Sequence, residues 1–279
     1  MNVRTLDTIP FEAIINCFTA AFKDYFVEMP SDPAYYRERW KAAKVRYEMS
    51  YGMFDGARLA GFIMNGIDRR HGHLTAFNAG TGVLPEYRGK KIVKSIYEQA
   101  LPHLKKNGIT QCALEVIQDN AIAIKAYQSI GFTISRRYKC FSGEINTETH
   151  EPFEVKEVSH RELDWERLPR REFYPWEHHK NSVTAGNYRY FYVMQNQNPQ
   201  AYCILKPENG YVAQFDVLNE KKTSWSVLFT GIKQLSPVVK MNNIDERLGD
   251  KLRYIREAGL VNTIDQYEME LPLYPRQKA

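Results

Sequence analysis

The spacing of apolar residues divides the chain into helices and strands. Apolar side chains recur every three or four positions over residues 10–29 and 92–104, which predicts amphipathic helices. Residues 111–117 alternate as core strands do, and residues 51–67 hold two apolar runs around the turn Asp55-Gly56. The order of helix, helix, hairpin, strand, turn, helix, strand, helix and strand predicts an α/β fold, a mixed, twisted sheet with helices on both faces.

The stretch GTGVLPEYRGKKIV, residues 80–93, has the composition of an anion-binding turn. A strand of small residues ends at Pro85, Gly89 breaks the backbone, and a helix pattern follows. The first N–H groups of a helix lack internal partners and lie at the positive end of its dipole, so a phosphate group is their natural ligand. Arg88, Lys90 and Lys91 add positive charge at the same end.

This stretch resembles the pyrophosphate loop of the GNAT acyltransferases, which reads Arg/Gln-x-x-Gly-x-Gly/Ala after a strand ending in Val-x-Pro. The matching residues are Val83, Pro85, Tyr87, Arg88 and Gly89, whereas Lys91 and Val93 stand where the family prefers glycine and Gly or Ala. A second family signature lies about thirty residues downstream in the expected order; its matching residues are Leu114, Glu115, Val116, Asn120, Ala123, Tyr127, Gly131 and Phe132. The resemblance implies a GNAT fold with acetyl-CoA as co-substrate.

The resemblance also implies a role for each matching residue. The backbone N–H groups of Val83 and Leu84 would hold the thioester carbonyl and the pantetheine arm, and Asn120 would lie on the far side of the cofactor near its sulfur. The pyrophosphate would be bound by backbone N–H groups of Arg88, Gly89, Lys90, Lys91, Ile92 and Val93. Side chains at positions 91 and 93 are expected to weaken CoA binding, because glycine permits a closer approach of the backbone.

For the reaction itself, Tyr127 occupies the family's general-acid position and Glu115 the position of a base. The resemblance makes Asp24, Tyr25 and Phe26, at the end of the first helix, candidate contacts to the acceptor substrate, and Asn78 and Thr81 on the central strand are further candidates. Structural alternatives stay open at this point. Tyr127 can be a core aromatic residue, and Glu115 can be a salt-bridge partner. Asp24 can be an exposed acid at a helix end, and Asn78 and Thr81 can be polar groups that are hydrogen-bonded within the core.

With 279 residues the chain exceeds one ordinary domain, so two are expected. Residues 1–145 are predicted as a GNAT acetyltransferase domain with the acetyl-CoA site, and residues 151–279 as a degenerate GNAT-like domain that lacks the cofactor motif. The segment NEKKTSW follows a strand of the second half without a glycine, and Ile255 stands where Tyr127 stands in the first half. The second domain is expected to shape the acceptor site or to form an interface.

Composition narrows the classes of partner. The net charge of +5 is spread over the chain without a basic block, which gives little support to nucleic-acid binding. No apolar run approaches 18 residues and no leader pattern is present, so no membrane association is expected and the cytoplasm is the default location. The cysteines and histidines lack metal-ligand spacing, so no metal site is expected; a homodimer stays open.

These observations predict an acetyl-CoA-dependent N-acetyltransferase that acylates a primary amine on a small molecule or a peptide N-terminus. Direct transfer in a ternary complex is expected, because no cysteine lies in either motif. The alternative is a catalytically inactive acyl-CoA-binding or regulatory protein, which Lys91 and Val93 favour. RNA binding is a third, weaker alternative.

Overall fold

The structure is a computed structural model, and it describes residues 1–219 and 222–274. The predicted segment NEKKTSW includes Glu220 and Lys221, and the predicted second domain includes residues 275–279, all of which lie outside the described residues. The helices are α1 Phe11–Ala21, α2 Pro33–Ala42, α3 Ile92–Lys106, α4 Ala121–Gln128, α5 Lys180–Val183, α6 Lys222–Leu235 and α7 Gly249–Glu257. The strands are β1 Asn2–Thr5, β2 Tyr51–Asp55, β3 Arg58–Arg70, β4 His73–Val83, β5 Gln111–Ile117, β6 Thr133–Glu144, β7 Glu154–Val158, β8 Arg189–Gln195, β9 Asn198–Lys206, β10 Tyr211–Val217, β11 Val238–Asp245 and β12 Val261–Pro272.

The chain folds into two compact units. Unit 1 contains Met1–Ser135 together with the C-terminal segment from Glu268, and unit 2 contains Arg136–Tyr267. The strand order in unit 1 is β1-β2-β3-β4-β5-β12, with the first residues of β6 beside β12. The predicted first domain ran to residue 145 and the predicted second domain took in residues 268–274, so the observed units divide the chain differently. The difference arises because β6 and β12 each contribute residues to both units.

Unit 2 has the strand order β12-β6-β11-β10-β9-β8-β7. Its helix α6 joins the parallel strands β10 and β11, and α7 follows β11. In unit 1, α3 joins the parallel strands β4 and β5 and α4 follows β5, so the two units share one order of elements. The core of unit 2 is built mainly from buried apolar residues of β8 to β11, α6 and α7.

Two glycines show that helices cover both faces of the unit 1 sheet. Residues paired across an antiparallel ladder point to the same face, and successive residues alternate. A side chain at Gly61 would meet Ile92 of α3 at 2.9 Å, whereas one at Gly82 would meet Ala21 of α1 at 2.8 Å. Gly82 pairs with Phe62, the neighbour of Gly61, so α1 and α3 pack on opposite faces.

Most predicted elements are present, with three differences. The helix predicted over residues 10–29 ends at Ala21, and residues 22–29 contain turns and bends instead. The strand β1, Asn2–Thr5, was not predicted; its alternation of exposed and half-buried residues is too short to stand out. The sequence of residues 164–171 also predicts a short helix, but the structure has none there, and that segment consists of turns that lead into a 3₁₀ helix at Arg171–Phe173. Among the described residues, no helix has both the length and the apolar character that crossing a membrane requires.

Candidate functional site

The parallel strands β4 and β5 part at the centre of unit 1. Their pairing runs from Thr75–Gln111 to Asn78–Leu114, and β4 then continues to Val83. The Leu84 N–H donates to the Ala60 carbonyl of β3 at 2.9 Å. Because the polar groups of successive strand residues alternate in direction, the N–H of Val83 points away from β3 into the gap. The predicted cofactor role of the Leu84 N–H is therefore corrected, since the sheet already uses that group, whereas the Val83 N–H faces the open edge of β4.

A β-bulge brings Asn78 and Thr81 together. Across the β3–β4 ladder, Met64 pairs with Gly80 and Asn65 with Asn78, so Ala79 is the extra residue. In a regular strand, residues three apart point to opposite faces, but here the Asn78 amide donates to the Thr81 hydroxyl at 2.5 Å.

The same Asn78 amide also donates to the hydroxyl of Tyr97 on α3 at 3.1 Å. The Asn78 carbonyl oxygen accepts the Gly80 N–H at 3.0 Å, which fixes the orientation of the amide. Sequence reasoning assigned Tyr97 only to the buried face of α3; a hydroxyl on a buried face was the signal that a polar partner would be needed.

Tyr127 of α4 lies over this pair. Its ring is buried and contacts Phe132 edge-on at 5.8 Å, and its hydroxyl interacts electrostatically with the side chains of Thr81 and Asn78. Burial raises the pKa of Tyr127 to about 12, although the hydrogen bonds from Thr81 and Asn78 act in the opposite direction. The hydroxyl therefore keeps its proton throughout the neutral pH range.

Tyr25 and Asn120 complete the group of polar side chains. Asn120 caps α4 by accepting the Ala123 N–H at 3.1 Å, and its side chain lies within hydrogen-bonding reach of the Tyr25 hydroxyl. Burial raises the pKa of Tyr25, with Asn120 opposing the shift, and the charge of Tyr25 in turn affects Tyr127. Tyr25 follows α1, which packs on the face opposite to α3, so these groups can meet only where β4 and β5 have parted. We call Tyr25, Asn78, Thr81, Asn120 and Tyr127 the polar ring.

Two predicted residues stand apart from the polar ring. Glu115 is the first β5 residue beyond the last β4–β5 pair; it is half-buried, and one of its carboxylate oxygens is buried. Asp24 precedes Tyr25 but is exposed to solvent. The structure thus places two of the predicted acceptor contacts, Asn78 and Thr81, close to Tyr127, and a third, Tyr25, within electrostatic range of it.

The anion-binding turn begins with a 3₁₀ turn at Pro85–Tyr87 and enters α3 at Ile92. Gly89 has φ +76° and Lys91 has φ +56°, so Lys91 takes up a left-handed conformation that glycine prefers. The turn therefore follows a glycine-like path at this position even though a lysine stands there. Left-handed backbone costs a non-glycine residue about 1–2 kcal/mol.

The charged side chains of the turn serve mainly to anchor it. The Arg88 guanidinium donates to the Ala21 carbonyl at 3.0 Å and to the Val83 carbonyl at 3.4 Å. The backbone N–H of Arg88 donates to the Pro85 carbonyl at 3.2 Å. The Lys90 ammonium lies 4.8 Å from the centre of the Tyr87 ring. The prediction that the Arg88 N–H binds pyrophosphate is corrected, because this N–H closes the 3₁₀ turn.

The residues from Lys91 to Val93 differ in how much of each side chain is exposed to solvent. Ile92 is buried against the Gly61 backbone and offers only its N–H, whereas Lys91 is exposed and Val93 half-buried. The N–H groups from Gly89 to Val93 therefore form the part of the turn that suits an anion, since the first turn of a helix has no internal acceptors for them.

In unit 2, the corresponding gap between β10 and β11 is filled by a buried ionic cluster. These strands pair at Tyr211–Lys240 and then diverge. The Lys251 ammonium from α7 donates to the Phe215 carbonyl of β10 at 2.5 Å and lies 3.3 Å from the Asp216 carboxylate, which also accepts from Arg170 at 2.7 Å. Asp216 is fully buried and Lys251 is 1% exposed. We call Arg170, Asp216 and Lys251 the ionic cluster.

Tyr174 occupies the remaining polar groups of β10 in this gap. Its hydroxyl donates to the Phe215 carbonyl at 3.0 Å and accepts the Phe215 N–H at 3.3 Å. Side chains thus saturate the backbone edge that is open at Val83 in unit 1. Sequence reasoning missed this arrangement; the available signal was Lys251, which shares the i, i+4 face of its helix with the buried Ile255.

Comparisons with known proteins agree with this architecture. The model of the acetyltransferase (GNAT) family matches residues 13–132. No curated protein sequence matches the chain. A tandem GNAT protein from the clavulanic acid biosynthesis pathway superposes with a TM-score of 0.71 at 11% identity, over 99% of this chain and 100% of that one. A GCN5-related N-acetyltransferase from Sphaerobacter thermophilus gives 0.68 at 11% identity, over 100% and 97%.

A third similar structure is the GCN5-related glucosamine N-acetyltransferase region of a fungal multi-domain β-N-acetylglucosaminidase. It superposes with a TM-score of 0.71 at 13% identity, over 97% of this chain and 38% of that one. At identities this low, the likeness establishes a shared fold and leaves the substrate undetermined.

Proposed function

We propose that this chain transfers an acetyl group from acetyl-CoA to a primary amine, because the acetyltransferase (GNAT) family model matches residues 13–132 and the fold is shared with a tandem GNAT protein. One observation carries the proposal. The open edge of β4 at Val83 lies between the anion-binding turn and the polar ring, so a single extended ligand can reach both. The acceptor is a small molecule or a peptide N-terminus, and the transfer is direct.

The residues present fit acetyl-CoA as co-substrate. The N–H groups from Gly89 to Val93 suit the pyrophosphate, and the Val83 N–H suits a carbonyl of the pantetheine arm or the thioester, where it would stabilise developing negative charge. Asn120 caps α4 with its carbonyl oxygen, so its amide N–H groups, which interact with the Tyr25 hydroxyl, would serve the sulfur side of the ligand. The cation of Lys91 is exposed and able to turn towards a phosphate.

The reaction forms one C–N bond and breaks one C–S bond. The neutral amine attacks the thioester carbon, the nitrogen loses a proton, and the departing thiolate gains one, which yields the amide and free CoA. We assign the base to Glu115, acting directly or through water, because it lies on β5 at the start of the gap. Asn78 and Thr81 orient the Tyr127 hydroxyl. Asp24 is assigned to the part of the site that receives the acceptor amine.

The pKa of Tyr127 decides how it assists the leaving group. An ordinary thiol has a pKa of about 8.5, so complete transfer from a hydroxyl with a pKa of about 12 is uphill by about 5 kcal/mol. Tyr127 therefore acts chiefly by donating a hydrogen bond to the thiolate as the C–S bond breaks. Glu115 takes one proton from the attacking nitrogen and the thiolate gains one through water, so no net proton is consumed or released.

The first experiment is a calorimetric titration with acetyl-CoA and CoA at two salt concentrations, followed by thiol release with a panel of amines. Binding that weakens with salt, together with thiol release that requires an amine, is the expected result. Tyr127→Phe and Glu115→Gln are expected to lower kcat about 10²-fold or more each with little change in acetyl-CoA affinity. Tyr47→Phe, a half-buried tyrosine outside the polar ring, is the matched control.

The outcomes separate this proposal from its alternative. CoA binding without thiol release from any amine would identify a catalytically inactive acyl-CoA-binding or regulatory protein. Full activity of Tyr127→Phe would remove the role given to that hydroxyl. Absence of any binding would mean that Lys91 and Val93 have disabled the turn.

A further inference from the structure

Three exposed apolar side chains closely follow Tyr25 or Asn120 in the chain. Phe26 is 53% exposed, Val27 is 37% exposed and Ile122, the second residue of α4, is 86% exposed. Scattered apolar residues are normal on a protein surface. These three differ in their position: the Phe26 ring contacts Tyr25, the preceding helix ends at Ala21 beside Gly82 and Arg88 of the candidate site, and Ile122 is two residues after Asn120.

Phe26 extends a row of aromatic rings that starts in the core. Phe18 stacks on Phe22 at 4.5 Å, Phe22 meets Tyr25 edge-on at 4.8 Å, and Tyr25 meets Phe26 edge-on at 5.5 Å. The contact with Tyr25 holds one edge of the Phe26 ring, while about half of its surface faces solvent. An apolar group placed beside the Tyr25 hydroxyl would thus contact an existing aromatic surface.

Exposed carboxylates accompany these apolar side chains. Asp24 and Glu28 lie in the same segment as Phe26, and Asp119 precedes Asn120, all three exposed. Two cations oppose them, Lys23 in the same segment and Arg39 of α2, whose charge acts on Tyr25, so these carboxylates outnumber the cations by three to two. Negative charge at the rim raises the local concentration of a protonated amine and disfavours an anionic acceptor.

We propose that the acceptor is a primary amine attached to an aromatic or branched hydrocarbon group, whose hydrocarbon covers Phe26, Val27 and Ile122 while its nitrogen enters beside Tyr127. This proposal rests on the proposed function and names the acceptor class of that site. Phe26 and Ile122 are then the residues that determine specificity, and they act on the affinity for the acceptor. The exposed acids favour amines without a carboxylate next to the reacting nitrogen.

The experiment compares 2-phenylethylamine, isopentylamine and ethanolamine as acceptors of the full-length protein at saturating acetyl-CoA. The two hydrocarbon amines are expected to exceed ethanolamine in kcat/KM by about tenfold or more, since even one buried methylene changes specificity by about 10–200-fold. Most of the difference is expected in KM, because the hydrocarbon lies away from the reacting atoms.

Variants locate the preference on the protein. Phe26→Ser and Ile122→Ser are expected to lower kcat/KM for 2-phenylethylamine about tenfold and to leave ethanolamine within about twofold. Phe26→Leu keeps an apolar surface and is expected to retain most of the preference. Ile134→Ser, at a position 40% exposed on β6, is the matched control and is expected to behave as the parent.

The results distinguish this proposal from the one on which it rests. Turnover of ethanolamine equal to or better than that of the hydrocarbon amines would overturn the acceptor class and leave the acetyltransferase activity standing. A hydrocarbon preference that survives both serine variants would overturn the assignment to Phe26 and Ile122. Failure of every amine to release thiol while acetyl-CoA binds would overturn both proposals.

Discussion

The ionic cluster of unit 2 offers a direct test of what stabilises its parted strands. Replacing Lys251 by Met keeps the length and apolar character of the side chain but removes its charge. The variant loses the hydrogen bond to the Phe215 carbonyl at 2.5 Å and the ion pair with Asp216 at 3.3 Å. Asp216 is fully buried, so it cannot recover these interactions from water.

The magnitude follows from what remains in the cluster. Breaking a buried ion pair by removing one partner typically costs about 3–5 kcal/mol. Arg170 stays 2.7 Å from the Asp216 carboxylate and continues to neutralise it, so we expect a loss of about 3 kcal/mol for Lys251→Met, at the lower end. Asp216→Asn leaves the Lys251 ammonium without its carboxylate, and the double variant is expected to lose less than the sum of the single losses.

Tryptophan fluorescence during urea unfolding is a suitable assay. Of the four tryptophans, Trp165, Trp176 and Trp225 belong to unit 2, so the signal reports mainly on that unit. Lys233→Met, which removes a partly exposed ammonium 3.4 Å from Glu148, is the matched control and is expected to change the unfolding free energy by less than about 1 kcal/mol. Equal effects of the two lysine substitutions, or additive effects in the double variant, would refute this reasoning.

Four further predictions follow from single features. Lys91→Gly is expected to raise the free energy of unfolding by about 1 kcal/mol, measured by urea titration, because it relieves left-handed backbone; no gain would contradict the geometry of the turn. Met269→Ala, in the C-terminal strand of unit 1, is expected to cost about 2–5 kcal/mol and to reduce acetyl-CoA binding, whereas an unaffected site would show that unit 1 does not need this strand. Because the pKa of Tyr127 is raised to about 12, kcat is expected to show no fall up to pH 10 in a pH profile; a fall centred below pH 10 would contradict this. Calorimetry is expected to find about one CoA per chain, since the ionic cluster fills the gap of unit 2; a second site of similar affinity would refute its role.

The residues of both motifs were predictable because their structure is local. The helix pattern of residues 92–104 and the strand pattern of residues 111–117 agree with α3 and β5, since each depends on the spacing of neighbours along the chain. The cap at Asn120 is equally local, because an Asn side chain bonds an N–H three residues ahead.

The hydrogen-bond acceptors of individual backbone N–H groups were not predictable from local sequence. The Leu84 and Arg88 amides carry the right sequence positions for cofactor contacts, yet one donates to Ala60 on β3 and the other to Pro85. The first of these depends on the alternation of a ladder with a distant strand. The bulge at Ala79, which lets Asn78 and Thr81 meet, likewise depends on how β3 pairs with β4.

The sequence by itself determined most of the order of helices and strands, the anion-binding turn and the tyrosine within the second motif, because periodicity, caps and turn residues act over a few positions. Only the tertiary structure decided that a strand from the C-terminus completes unit 1, that five polar side chains gather where β4 and β5 part, and that Lys251 fills the matching gap of unit 2. These features join residues far apart in the chain. Their geometry is set by which strands pair and by the need of each buried polar group for a partner, and neither is written in any short stretch of sequence.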